Sequence, residues 1–96
     1  MKSIIQKENE CYLCRNFMGV ENPGGEKHHI FGGARRKLSE KYGLTVKLCS
    51  YHHRDHRYGV TYNEGMSRQL KITAQGKFQE RFPQEDFIKI FGRNYE

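Results

Sequence analysis

Leu48-Cys49-Ser50-Tyr51-His52-His53, with His56 just behind, is the stretch whose reading decides how this chain folds. Cys49 and His52 stand three apart at the expected start of a helix, so they share one helical face. Upstream, Cys11-Tyr12-Leu13-Cys14 presents two more sulfurs from one tight turn. Structural zinc takes four Cys or His ligands in a tetrahedron. A CxxC followed by a CxxH, in a chain with no other cysteine, matches that requirement in ligand type and spacing. Cys11, Cys14, Cys49 and His52 are therefore the expected structural zinc ligands. His56 in place of His52 is the rival fourth ligand, and three reduced, unliganded thiols are the plain alternative.

The remaining histidines extend the pattern. His28-His29 sits before a Gly32-Gly33 break. Neighbours on a strand point to opposite faces, so a bulge or a strand end is needed to bring both imidazoles to one centre. On the helix, His52 and His53 differ by about 100° of rotation. If His52 turns toward zinc, His53 turns toward a second site.

Composition bounds what such a chain can be. The 96 residues make one small domain, and only 35% are hydrophobic, with no Trp. A core this thin commonly leans on a metal or on disulfides. Three cysteines cannot all pair among themselves, and the opening residues carry no export segment, so a reducing, cytoplasmic compartment and metal-bound thiolates are expected. No apolar run approaches the roughly 18 residues of a membrane span. Lys and Arg number 17 against 11 acids, a net charge of +6, which suits a polyanionic partner through attraction and counterion release.

Organisation follows from punctuation and periodicity. Residues 1–9 are polar and expected to fray. Residues 10–19 read as a zinc knuckle closing at Gly19, and Asn22-Pro23-Gly24-Gly25 as a turn. Glu26 to Phe31 reads as a strand carrying both histidines. Ala34 to Tyr42 reads as a helix capped by Gly43. Leu44 to Leu48 alternates as a half-buried strand does. A helix is expected from Cys49 or Ser50, carrying His52, His53 and His56 and ending at Gly59. Met66, Leu70, Ala74, Phe78 and Phe82 make one apolar stripe on a helix from about 64 to 82, stopped by Pro83. Such a stripe is ordinarily core rather than a cofactor site. A last short helix is expected to hold Glu85 and Asp86 in its first turn. Its Phe87, Ile88, Ile90 and Phe91 would fold back onto the domain. The class is small α+β, one domain over 1–96, with a core of 10–58 and a helical extension of 64–92.

Cys11–Cys14, His28-His29-Ile30 and Leu48-Cys49-Ser50-Tyr51-His52-His53 together resemble the HNH endonucleases of the ββα-metal (His-Me finger) superfamily, in their zinc-bearing branch. The likeness is greatest to small phage HNH proteins and recombination-associated nucleases, and it covers about half the chain. It implies a zinc-stapled ββα-metal finger, an antiparallel two-stranded hairpin plus a helix, with additional C-terminal helices. It also implies hydrolysis of DNA phosphodiester bonds. His29 falls at the general-base position. His28 and His53 fall at metal-ligand positions, and His56 is a further ligand or phosphate contact. The family's middle Asn falls near Leu44, and none of Gly43, Leu44 and Thr45 is Asn.

The chemistry fits the residues. Neutral imidazole is a competent base near pH 7, and imidazole ligands suit Mn2+, Ni2+ or Zn2+ better than Mg2+ as the catalytic ion. Arg35, Arg36, Lys37, Arg54 and Arg57 are the candidate phosphate contacts, each of which alone would pass as a solvated surface charge. RNA is the alternative substrate, since nothing in the sequence distinguishes the sugar. One small domain covers few base pairs, so targeting by a phage or host replication, recombination or packaging protein is expected, in the cytoplasm of a bacterial host if the chain is phage-encoded. The competing expectation is a non-catalytic zinc module on a degenerate HNH scaffold that binds nucleic acid or a protein partner. Such a module needs neither His28 nor His29.

Overall fold

The computed structural model describes residues 1–55, 59, 60 and 63–96; His56, Arg57, Tyr58, Thr61 and Tyr62 lie outside them. The order is a π-helical turn Cys14–Met18, β1 (Glu26–His29), a 3-10 turn Gly33–Arg35, α1 (Arg36–Tyr42), β2 (Thr45–Leu48), α2 (Ser50–His53), α3 (Glu64–Arg81) and α4 (Phe87–Phe91). This is a small α+β fold. Its two strands pair antiparallel in regular register, Glu26 opposite Leu48 and His29 opposite Thr45, with α1 rather than a tight turn between them.

Local signals place most ends. The knuckle closes at Gly19, whose φ of 66° sends its N–H back to the Cys14 carbonyl. Gly43 ends α1 at φ 71°, and here the left-handed backbone is only half the reason for glycine. A Cβ at Gly43 would run into the Lys2 carbonyl, because residues 1–9 are not frayed. The Ile4 N–H donates to the Gly43 carbonyl, the Ser3 hydroxyl to the Thr45 carbonyl and the Lys47 N–H to Gln6 Oε1. Ile4 and Ile5 pack on the core. The polar composition of this segment hid two apolar anchors and an edge of β2 waiting for partners. The same cover explains why Thr45 is buried beside Val46, where simple alternation predicted exposure.

Two other expectations are corrected. α2 does not run on to Gly59: Arg54 leaves the helix at φ −120°, and the Val60 N–H returns to the His52 carbonyl. Asp86 is not inside α4 but caps it, accepting from the Lys89 N–H, and Glu85 lies ahead of it. Five residues of α4 bury only the i,i+4 pair Phe87 and Phe91, and Ile88 faces solvent.

One core runs from the knuckle to α4, and it takes in Cys11, Leu13, Val46, Leu48, Leu70, Phe78 and Phe91. The stripe of α3 lands on it as expected, with Leu70, Ala74 and Phe78 buried. Phe78 is the hub. Its ring lies 5.0 Å from Tyr42, 5.2 Å from Phe82, 5.3 Å from Phe87 and 5.9 Å from Phe91, in the offset geometries aromatic pairs favour. Gln75, also buried, is no part of the apolar stripe. Its amide donates to Asn94 Oδ1 and accepts from the Tyr95 N–H, both at 2.8 Å, and so clamps the C-terminal tail.

Phe78→Ala should cost about 3–5 kcal/mol, the usual range for deleting a fully buried phenyl ring. Chemical denaturation followed by far-UV circular dichroism measures it, and a loss below about 1 kcal/mol would mean Phe78 is not the hub.

Candidate metal centre and the histidines beside it

The knuckle and the start of α2 bring four ligand atoms together. His52 Nδ1 lies 3.5 Å from Cys11 Sγ, 3.4 Å from Cys14 Sγ and 3.4 Å from Cys49 Sγ, and Cys14 Sγ is 3.8 Å from Cys49 Sγ. A tetrahedral zinc with Zn–S near 2.3 Å and Zn–N near 2.0 Å has edges of about 3.8 Å between sulfurs and about 3.5 Å between sulfur and nitrogen. The cluster has those dimensions, so it could hold a metal ion such as zinc. It is the one group of three or more metal-type side chains gathered this closely among the described residues. His52 completes the cluster; His56, the rival fourth ligand, lies outside the described residues.

The electrostatics point the same way. Burial pushes the Cys14 thiol up to about 11, reinforced by Cys11 and Cys49. Burial acts on Cys11 too, but backbone N–H groups of Cys49 and Cys14 outweigh it and lower that thiol. Burial also lowers His52, so the imidazole is neutral and able to ligate. Three neighbouring thiols cannot all ionise unaided; a coordinated cation removes that conflict.

Beyond the cluster, β1 sorts its residues by alternation. Glu26 and His28 take one face and Lys27 and His29 the other, with no bulge in the register. On the first face, His28 and His53 meet edge-on with ring centroids 5.1 Å apart. His53 Nδ1 donates to Glu26 Oε1 at 3.0 Å, and Arg54 pairs with the other Glu26 oxygen at 2.7 Å. His53 first, and Arg54 with it, hold the Glu26 carboxyl below its usual range against the effect of burial. A neutral His53 so held carries its lone pair on Nε2. Burial foremost, then the charges of His53, His29 and Lys71, lower His28 to about 4, so His28 is neutral at pH 7, the form in which imidazole binds metals.

On the second face, His29 Nε2 donates to Glu40 Oε2 at 2.8 Å, and Lys27 reaches the other oxygen at 2.6 Å. Lys27 and His29 lower the Glu40 carboxyl to about 2. A neutral His29 therefore presents its lone pair on Nδ1. His29, Lys27, Arg36, Lys37 and Glu40 line a shallow, mostly basic groove.

The candidate phosphate contacts scatter. Arg36 and Lys37 share the His29 groove. Arg35 packs instead against the end of α4, where a Cβ on Gly92 would come within 3.0 Å of its guanidinium. Arg54 is engaged by Glu26, and Arg57 lies outside the described residues. Leu44, near which the middle Asn of HNH nucleases would fall, is fully buried; its carbonyl accepts from the Ile30 N–H and its N–H donates to the Ser39 carbonyl. Sequence reasoning missed both carboxylates. Glu26 was within reach, two residues before His28 on the same strand face. Glu40 was not, because its approach depends on how α1 packs.

No protein-family model, curated protein or solved structure matches this chain. The likeness to HNH nucleases thus rests on the motif residues of the sequence alone. Among the described residues no helix is long and apolar enough to cross a membrane.

If the cluster holds zinc, its removal should be conspicuous. Purified protein should carry one zinc per chain by elemental analysis. A strong chelator, or Cys14→Ser, should lower the melting temperature by more than about 20 °C, since structural zinc supplies on the order of 10 kcal/mol of folding free energy to small domains. An unchanged melt without bound zinc would exclude a structural metal here.

Proposed function

We propose that zinc fills the Cys11, Cys14, Cys49 and His52 cluster, and that the chain is a metal-dependent endonuclease of the ββα-metal type. The observation that carries this is the histidine pair outside the cluster. A zinc module needs only its four ligands, yet His28 and His53 meet beside it, with a carboxylate braced behind His53. A carboxylate on the far nitrogen is the usual support for a metal-ligating imidazole. His28 and His53 would hold a second divalent ion, with positions left open as catalytic sites require. That ion would supply Lewis-acid stabilisation of the phosphate and of the leaving oxygen.

The protein's own part is proton transfer and positioning. Glu40 holds the Nε2–H of His29, which keeps Nδ1 as the basic nitrogen. His29 Nδ1 takes a proton from water as its oxygen attacks phosphorus. The P–O bond to the leaving oxygen breaks, that oxygen takes a proton from solvent water, and the proton on His29 Nδ1 returns to solvent. Arg36 and Lys37, in the same groove as His29, would position the phosphodiester backbone without reading sequence. DNA is the proposed substrate, with a replication, recombination or packaging protein supplying the targeting that so small a domain lacks.

One observation favours the second reading, a non-catalytic zinc module that binds nucleic acid or a protein. The regular register of β1 sends His28 and His29 to opposite faces, so the base and the ligand pair flank the strand rather than converge ahead of it. A phosphodiester would have to reach both sides.

A plasmid-nicking assay decides between them. Wild type should nick with Mn2+ or Ni2+ at least as well as with Mg2+. His29→Ala should reduce nicking by about 100-fold or more, the scale of a lost general base, while zinc content and melting temperature stay near wild type. Wild-type protein that cuts nothing with any of Mn2+, Ni2+, Zn2+ and Mg2+ would establish the binding-module reading.

A further inference from the structure

The C-terminal extension lies outside the motif that resembles HNH nucleases, yet it builds a charged groove of its own. Arg68 and Lys71, one turn apart on α3, line it together with Ser67, Arg93 and Tyr95, in a space of about 330 Å³. Glu64 is the one acid on the lining, so cations outnumber acids three to one. The groove is firmly made. Gln75, itself 1% exposed, ties down Asn94 and Tyr95 by hydrogen bonds of 2.8 Å, which fixes the tail on which Arg93 sits. The Tyr95 ring packs 5.3 Å from Phe31 and carries the Lys71 ammonium at 5.8 Å and the Arg93 guanidinium at 5.3 Å. Two like charges are thus held over one aromatic ring. No carboxylate pairs with Arg68, Lys71 or Arg93 among the described residues.

Position gives the groove its meaning. Val60 also lines the groove, and its N–H donates to the carbonyl of His52, the residue before His53. Tyr95, on the same lining, packs on Phe31, two residues beyond the end of β1. The groove therefore opens beside the segments that carry His53 and His28, and it runs along α3 past Lys71 and Arg68. Unpaired cations held close together repel one another, and a polyanion lying between them relieves that cost by releasing its own counterions.

We propose that this groove binds the phosphodiester backbone of a nucleic acid where it runs past the His28–His53 pair, with Arg68, Lys71 and Arg93 meeting successive phosphates. The assignment rests on nucleic acid being the substrate of that site, and it makes the C-terminal helices part of the binding surface rather than only a lid on the core. The contacts are to phosphate, so the groove positions the strand and reads no sequence.

The test measures binding apart from cleavage. Fluorescence anisotropy of a dye-labelled duplex DNA is followed against salt, using the zinc-loaded 96-residue chain with no further divalent metal. Gln substitutions keep much of the side-chain stem. Arg68→Gln, Lys71→Gln and Arg93→Gln combined should weaken binding about tenfold or more at about 0.1 M salt, and should lower the log–log salt slope by about 2 to 3, since each lost phosphate contact contributes about 0.9. Lys41→Gln, Arg81→Gln and Lys89→Gln combined remove the same charge elsewhere and should leave the slope nearly unchanged. If the groove variant melts early, Arg68→Gln alone, on an exposed side chain, should still lower the slope by about one contact's worth. Equal effects of the two triple variants, an unchanged slope, or no binding by wild type would each overturn the proposal. Nicking is read in parallel: nicking with an unchanged slope removes the groove and leaves the nuclease reading standing, whereas a reduced slope without nicking does the reverse.

Discussion

The convergence of Cys11, Cys14, Cys49 and His52 on one point is the constraint from which the rest of the site follows. α2 has only four residues, far below the length at which a helix sustains itself in water. Its orientation must come from outside, and the contact of Cys49 and His52 with the knuckle sulfurs provides it. Once His52 is turned toward that point, the next side chain is rotated by about 100°. His53 is thereby directed at β1, where Glu26 and His28 stand. The metal-type cluster and the histidine pair are two consequences of one helical turn.

β1 then divides the chemistry. A period of two puts Glu26 with His28 and Lys27 with His29, and each face meets a different helix, α2 on one side and α1 on the other. Each side thereby acquires one imidazole donating to one carboxylate, His53 to Glu26 and His29 to Glu40. Such bonds fix which ring nitrogen is basic. They set Nε2 of His53 and Nδ1 of His29 as the acceptor atoms, the arrangement expected if one is to ligate and the other to take a proton. The two acceptors therefore open onto different sides of the strand.

The C-terminal helices carry two burdens at once. Their inward faces complete an aromatic core around Phe78, which a chain without Trp and with a short sheet could not otherwise assemble. The groove between α3 and the tail collects Arg68, Lys71 and Arg93 near the histidine pair. Gln75 links the two roles, since a buried amide that must be satisfied is what holds the tail in place.

Much of this was legible in one dimension. Spacing picked out the side chains that cluster, with His56 left as a rival to His52, because a turn and a helix start each present residues three apart on one side. Periodicity located α3 and its buried stripe, and Gly19, Gly43 and Gly92 marked ends that need a left-handed residue. What depends on contact between distant segments was not legible. The N-terminal residues look polar and free, yet they dock because Ile4 and Ile5 find the core and the edge of β2 lacks partners. Glu40 reaches His29 only through the packing of α1, and Arg93 joins Arg68 and Lys71 only because the tail folds back onto α3. The sequence by itself determined which groups could bind a metal and which turns present them, since those are short-range matters of stereochemistry. Tertiary structure alone decided which carboxylate meets which imidazole, and on which side of the strand, since those pairings are made by side chains far apart along the chain.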